Sequence, residues 1–459
     1  MSRRRERPRA CHAWRRWSLL LAFVVAPVAS ARGQPTTDRP NIVLIITDDL
    51  GAGDLGVYGS RDIKTPNLDR LAREGTRFTD FYANATTCTP TRAGLMTGRY
   101  QQRYGIEVPL DADGAQHPSP LGRGLEATPQ SLPRLLKGQG YVTGLLGKWH
   151  LGYRPTQSPL AHGFDEFFGL KSGYHDYYRH TDSRGQPDFW ENDARVEVPG
   201  YTTDLLADRA VQFIQRHTDR PFFLDVAFNA PHWPFQRPDT ATVARDNARF
   251  IKPTDADANT RADYVAMVEQ VDRSVGLILQ ALERAGVSRN TLVIFTNDNG
   301  GEWLSDNGPF FNRKWTTWEG GIRVPAIVRW PARIPAGRVT PQVGITMDLT
   351  ATILAAAGVA TTPAVPLDGV DLLPVLTGQR PVGERTLFWR SVSQAGTMYG
   401  VRQGDFKLVT HGGHQYLFDV RKDPGERRDL TNARPDLVRA LWRAIDGWER
   451  EVGPAPSVR

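Results

Sequence analysis

The chain predicts an α/β fold: a large, mostly parallel sheet sandwiched by helices, followed by a smaller C-terminal subdomain built on an antiparallel sheet. Three observations carry that expectation. Continuous apolar runs bounded by polar residues, such as 41–47 and 291–296, have the pattern of strands buried on both faces. The segment 221–296 reads strand, amphipathic helix, strand, an order that favours parallel pairing. Beyond residue 384 the composition shifts to short strand-like pieces joined by turns.

In chain order, residues 1–31 combine an Arg-rich opening, the apolar run Leu19 to Val28 and the small-residue site Ala29-Ser30-Ala31, which together predict a secretory signal and export to the periplasm or the medium. Arg15-Arg16 suggests a twin-arginine route, but Ser18 stands where a more apolar residue is usual, so the route stays open. No membrane anchor is expected after it. A first strand at 41–47 is followed by a short helix around Leu132, Leu135 and Leu136, and then by a strand from Tyr141 to Leu146. Pro221 to Phe228 is the next strand. Tyr264, Met267, Val268, Val271, Val275, Ile278 and Leu282 share one face of a long helix that Gly286 closes. After the strand 291–296 comes a helix from Met347 to Ala357. The Gly- and Pro-bearing stretch 376–383 then separates an N-terminal domain, 36–378, from a subdomain, 384–459. Within that subdomain, strands are expected at 387–390, 398–402, 406–410 and 416–420. Leu437, Leu441, Ile445 and Trp448 mark a closing helix.

The formal charge of +7 is mostly leader: residues 1–31 hold seven Arg and one Glu, so the remainder carries about +1. A nucleic-acid partner therefore loses its main support, which would be a sustained basic surface. Of the two cysteines, Cys11 leaves with the signal and Cys88 remains alone, excluding an intramolecular disulfide. Such a thiol is inert, bonded to another chain, or chemically purposeful.

Each predicted strand of the large domain ends in polar residues that a core does not need. Asp48-Asp49 follow the first, Lys148 and His150 the second, His232 the third and Asp298-Asn299 the fourth. In open α/β sheets ligands bind outside the carboxyl ends of strands, so these groups are expected in one crevice. Asp48, Asp49, Asp298 and Asn299 make an all-oxygen set suited to calcium, magnesium or manganese and poorly suited to zinc. Cys88 opens Cys88-Thr89-Pro90-Thr91-Arg92, followed by Ala93-Gly94-Leu95-Met96-Thr97-Gly98-Arg99. Pro90 fits a first helical turn, which puts Cys88 where backbone N–H groups favour anions, with Arg92 over the same face. On residues alone this reads as an activated thiolate.

The run Cys-x-Pro-x-Arg followed by Leu-x-Thr-Gly-Arg resembles the maturation signature of type I sulfatases. Gly147-Lys148-Trp149-His150, Ala230-Pro231-His232, Asn297-Asp298-Asn299-Gly300 and Lys314 ahead of Glu319-Gly320-Gly321-Ile322-Arg323-Val324-Pro325 resemble further blocks of that family, in the family's order. The likeness spans nearly the whole mature chain and is nearest in style to the arylsulfatase A and N-acetylgalactosamine-6-sulfatase branch. It implies an alkaline-phosphatase-like fold and a sulfuric ester hydrolase. It further implies that a maturation enzyme oxidises Cys88 to formylglycine and that Asp48, Asp49, Asp298 and Asn299 bind one calcium together with an oxygen of the hydrated aldehyde at 88. Arg92 would steady that hydrate, and Lys148, His150, His232 and Lys314 would contact the sulfate. Asp298 would serve as base for attack, His232 as acid for the leaving alcohol and His150 as base for collapse of the sulfated intermediate. A further polar position expected near Ser172 to His175 is out of spacing by about a residue.

Rival readings are a phosphonate or phosphodiester hydrolase on the same scaffold, an arylsulfatase for simple aryl sulfates, and a non-catalytic binder of sulfated glycans whose Cys88 stays a thiol. Aromatic residues at 174–178, 189–190, 233–235, 303 and 315–318 are expected near the mouth, where sugar and aryl rings both stack. A sulfated carbohydrate is the preferred substrate.

Overall fold

The computed structural model describes residues 39–110, 124–238, 259–360, 366–380, 383–393 and 396–456, so the expected signal 1–31 lies outside the described residues. The strands are β1 (Asn41–Thr47), β2 (Thr76–Phe78), β3 (Phe81–Tyr82), β4 (Val142–Lys148), β5 (Glu166–Leu170), β6 (Trp190–Glu191), β7 (Ala194–Arg195), β8 (Phe222–Ala227), β9 (Thr291–Asn297), β10 (Ala326–Arg329), β11 (Arg338–Thr340), β12 (Gly344–Ile345), β13 (Thr386–Ser393), β14 (Gly396–Gln403), β15 (Phe406–His411) and β16 (His414–Asp419).

Ten strands form one sheet in the order β11-β2-β10-β9-β1-β8-β4-β5-β6-β7. Its centre, β9-β1-β8-β4-β5, is wholly parallel, as the unbroken apolar runs require. The antiparallel pairs lie toward the edges, where β10 runs against β9 and β2, and β6 against β5 and β7. These short edge strands carry too few residues to show a period, which is why sequence reading passed over them.

Alternate residues of the central strands feed two cores. Val43, Ile45, Leu224 and Val293 pack under the helices Pro66–Arg73, Thr202–Arg216 and Arg261–Arg284. Ile42, Leu44, Phe223 and Ile294 pack under Cys88–Thr97, Leu132–Lys137 and Thr346–Ala356. At about 1.5–3 kcal/mol per fully buried large apolar side chain, both faces hold the strands in register. A one-residue slip would exchange the two sets of side chains.

The strands β13-β14-β15-β16 form a four-stranded antiparallel meander, and the helix Pro435–Val452 lays Val438, Leu441 and Ile445 against Val401, Leu408 and Leu417. Trp389 of β13 donates its indole N–H to the Ala83 carbonyl at 2.8 Å, fastening this sheet near the chain that leads into Cys88.

Candidate active site

The four neighbouring parallel strands β9, β1, β8 and β4 end along one edge of the sheet, so parallel pairing alone brings Asp298-Asn299, Asp48-Asp49, His232 and Lys148–His150 to the same place. Asp49 (φ 65°) and His150 (φ 51°) both adopt left-handed backbone there, a conformation that non-glycine residues seldom take outside constrained sites. Cys88 is the first residue of the helix Cys88–Thr97, whose end is capped by Gly98 at φ 65°. Cys88, Asp48 and Asp298 offer ligand atoms within 4.8 Å of one another, and so do Asp48, Asp49 and His232. Cys88, Asp48, Asp49, Asp298 and His232 are therefore in one cluster, with Asn299 joined to it by Nδ2 donating to Asp49 Oδ1 at 2.7 Å.

The ionic contacts are dense. Lys148 Nζ donates to Asp48 Oδ2 and, at 2.8 Å, to the Gly173 carbonyl. Lys314 Nζ lies 2.7 Å from Asp49 Oδ1 and 3.8 Å from Glu302. Arg92 reaches Asp298 Oδ2 at 2.9 Å and Asp48 at 3.6 Å, and its Nη1 donates to the Lys148 carbonyl at 2.8 Å. Its guanidinium thus braces the carboxylates.

Burial opposes ionisation of Asp48, yet Lys148, His232, Arg92 and Lys314 together hold its carboxyl far below the usual range. Burial and the charge of Asp48 push Asp298 up instead. Burial also raises the Cys88 thiol against the opposing pull of Lys148 and Lys314. An unmodified cysteine here is thus held as the thiol, which counts against the activated-thiolate reading.

His150 Nε2 lies 2.7 Å from the Leu110 carbonyl and its Nδ1 3.3 Å from Cys88 Sγ. A carbonyl only accepts, so Nε2 carries the proton and the Nδ1 lone pair faces residue 88. Burial, then Lys148, keeps this imidazole neutral by holding its pKa well below the ordinary value. His232 uses Nδ1 on the Trp233 carbonyl at 2.6 Å and turns Nε2 toward Asp49 Oδ2, 3.6 Å away. Burial lowers its pKa to about 4 despite Asp48 and Asp49.

Asp48 Oδ1, Asp298 Oδ1 and Asn299 Oδ1 are buried and have no hydrogen-bond partner among the described residues. Three orphaned oxygens, two from carboxylates, are costly unless a cation completes them. The donor set is hard and matches an oxygen-preferring divalent ion.

Sequence reasoning missed several supports. Between Ser172 and His175 the backbone reaches the site: Gly173 supplies its carbonyl to Lys148, and a Cβ at 173 would lie 2.4 Å from the His150 ring. Nothing in the local sequence signals a glycine needed for that approach. Asn297 knits the loops by accepting from Thr47 Oγ1 at 2.8 Å and donating to the Leu50 carbonyl at 3.0 Å. The aromatic expectation needs correction. Tyr177, Phe189, Phe235 and Trp318 are core residues, because their rings find apolar neighbours before they reach solvent. Trp303 and Trp315 are exposed, and Trp233 pairs with Tyr174 at 4.9 Å.

A family model described as Sulfatase matches residues 40–359. The chain belongs to the sulfatase family. A second model, N-sulphoglucosamine sulphohydrolase, C-terminal, matches residues 307–446. N-acetylgalactosamine-6-sulfatase of Canis lupus familiaris is 37% identical, with 93% of this chain and 88% of the relative covered. Arylsulfatase A of Homo sapiens is 33% identical over 92% of this chain and 89% of its own length. The crystal structure of Ps i-CgsB in complex with k-i-k-neocarrahexaose is 32% identical, with a TM-score of 0.79 and coverage of 89% of this chain and 92% of that one. This sulfatase is an enzyme that hydrolyses sulfate esters. Among the described residues no helix is long and apolar enough to cross a membrane.

Proposed function

We propose that this sulfatase releases inorganic sulfate from a sulfated carbohydrate, using Cys88 after its conversion to formylglycine by a maturation enzyme, with one calcium held by Asp48, Asp49, Asp298, Asn299 and residue 88. The single observation that carries the reading is the set of orphaned oxygens on Asp48, Asp298 and Asn299 beside the buried Cys88. Calcium, when bound, supplies positive charge against the sulfate oxygens and the attacking oxygen. The carbohydrate preference is supported by relatives whose names specify N-acetylgalactosamine and a neocarrahexaose. The leader 1–31 supports export, and residues 36–378 form the catalytic part with 384–459 as supporting subdomain.

A sulfate monoester is an anion that repels anionic nucleophiles, so its oxygens must be neutralised first. Lys148 and Lys314 hold the sulfate, and Arg92 keeps Asp48 and Asp298 in place. One hydroxyl of a hydrated aldehyde at 88 attacks sulfur while Asp298 takes its proton, and the S–O bond to the alcohol breaks. His232 Nε2 protonates the departing oxygen. The arriving anion itself raises this imidazole toward its charged form. His150 Nδ1 then removes the proton of the second hydroxyl, and the C–O bond to sulfate breaks as the carbonyl re-forms. A serine or unmodified cysteine has no second hydroxyl with which to expel sulfate.

The test is mass analysis of the peptide carrying residue 88 in natively produced protein, paired with sulfate release by Cys88→Ala. We expect the aldehyde mass and a loss of turnover by about 10⁴-fold or more with unfolding unchanged. An unmodified thiol in active enzyme would defeat the proposal, and faster turnover of an aryl phosphonate than of any sulfate ester would favour the rival hydrolase.

A further inference from the structure

The loop 302–318, which delivers Lys314 to the site, also carries two tryptophans with unusual placement. Trp303 is 39% exposed and Trp315 46% exposed, whereas Trp149, Trp330, Trp389 and Trp448 are buried. Both exposed residues adopt left-handed backbone, φ 49° at Trp303 and φ 78° at Trp315. A bulky side chain rarely takes that conformation without being over-determined by its surroundings.

Those surroundings tie both rings to the sulfate site. Trp315 donates its indole N–H to Glu302 Oε1 at 2.9 Å, and Lys314 Nζ lies 5.9 Å from its ring centroid. Its backbone N–H donates to the Thr86 carbonyl at 2.9 Å, two residues before Cys88, and its carbonyl accepts from Ser391 Oγ at 3.0 Å, so the main chain that carries the ring is fixed. Trp303, next to Glu302, lies under the Arg313 guanidinium, 5.0 Å from ring centroid to cation. Arg313 is exposed and has no carboxylate at ion-pair distance among the described residues. A core role does not account for either ring, since 39% of Trp303 and 46% of Trp315 stays in solvent. Rigid aromatic faces beside an exposed guanidinium fit an anionic sugar: the ring stacks and the guanidinium takes the sulfate or carboxylate.

We propose that Trp315 and the Trp303–Arg313 pair are successive subsites for an anionic oligosaccharide. Trp315 stacks the ring that bears the scissile ester, and Trp303 with Arg313 receives the neighbouring ring through its own sulfate or carboxylate. This rests on the carbohydrate reading above and narrows it from a monosaccharide ester to a chain of at least two rings. Arg313 and Trp303 thereby determine specificity without touching the reacting atoms.

The experiment compares kcat/KM for sulfate release from N-acetylgalactosamine 6-sulfate, from a 6-sulfated chondroitin tetrasaccharide, from a sulfated neocarrahexaose and from 4-nitrophenyl sulfate. It uses the matured enzyme and its Trp303→Ala, Arg313→Ala and Arg313→Lys variants, each with its melting temperature. We expect the wild type to favour an oligosaccharide over the monosaccharide. Trp303→Ala and Arg313→Ala should cut that preference about tenfold, mainly through KM, with partial recovery in Arg313→Lys. Sugar sulfates cleaved with no preference for length, or with a preference that survives both alanine variants, would overturn the subsites and leave the carbohydrate reading standing. Turnover of 4-nitrophenyl sulfate with none from any sugar would overturn both.

Discussion

The segment 302–319 contributes to two buried clusters of charge, Lys314 to one and Glu319 to the other, and they are built to different ends. Around Glu319, each charge is answered from within the chain. Lys407 Nζ bonds Glu319 at 2.8 Å and Glu426 at 3.0 Å, Arg323 bonds Glu319 at 2.7 Å and Asp80 at 3.1 Å, and Arg402 bonds Asp80 at 2.9 Å. Tyr82 donates to Glu319 at 2.8 Å, and the Glu319 backbone N–H donates to Glu426 at 2.7 Å. Burial opposes charge on both carboxyls, yet Lys407 and Arg323 hold Glu319 down while Glu426 is pushed up. Around Cys88 the cations are as close, but Asp48, Asp298 and Asn299 each keep an oxygen without a partner among the described residues. The first cluster is closed and binds the small sheet to the large one; the second is open on its oxygen side and suited to an ion and an anionic ester.

The largest difference should appear when a charge is removed from the closed cluster. Lys407→Met leaves Glu426 buried without its cation and Glu319 with Arg323 alone, and we expect a loss of about 3–5 kcal/mol in denaturant unfolding that added calcium does not restore. A loss below 1 kcal/mol would mean the cluster is not closed as described.

Asp225 separates an orphan that awaits a cation from one that is simply buried. It sits mid-strand in β8, its Oδ1 lacks a partner among the described residues, it lines a small cavity with Arg92 and Met96, and burial pushes its carboxyl up to about 7 against the pull of Arg92. A raised carboxyl contributes stability that is present below the unfolded value of 3.8 and is lost as pH rises toward 7. Between pH 5 and pH 7 the wild type should lose about 2 kcal/mol relative to Asp225→Asn, read from paired denaturation curves. Parallel curves for the two proteins would show that Asp225 is ionised in the fold.

In the open cluster, calcium at a hundredfold its Kd should stabilise the protein by about 2.7 kcal/mol, seen as a rise in melting temperature. Asp48→Asn should remove that rise. An equal rise in both proteins would place the ion elsewhere. The smallest expected effect is Tyr82→Phe, which deletes one hydroxyl from the closed cluster at a cost of about 1 kcal/mol and leaves sulfate release and the calcium response untouched.

Much of this was legible along the chain. Unbroken apolar runs at 41–47 and 291–296 lie within one residue of β1 and β9, and the seven apolar positions from Tyr264 to Leu282 mark the buried face of the helix Arg261–Arg284. The polar residues that follow those runs all reached the site, because strands that pair in parallel must end on the same edge. What escaped notice was short or depended on distant partners: the edge strands β6, β7 and β11, Gly173 beneath His150, and Glu302 between Lys314 and Trp315. Aromatic residues misled for a related reason. Sequence shows ring and neighbours in the chain, whereas exposure depends on what packs from elsewhere, so Phe189 and Trp303 looked alike and proved opposite.

Local chemistry by itself determined the long apolar strands, the amphipathic helices, the hard-oxygen character of the ligand set and the single cysteine at a helix start, since each depends on residue type and near spacing. Tertiary structure alone decided which oxygens are left unpartnered, which way the imidazoles of His150 and His232 turn their protons, and which tryptophans meet solvent. Those outcomes arise from contacts between segments as far apart as Asp49 and Lys314, and hydrogen-bond accounting closes only when every such segment is in place.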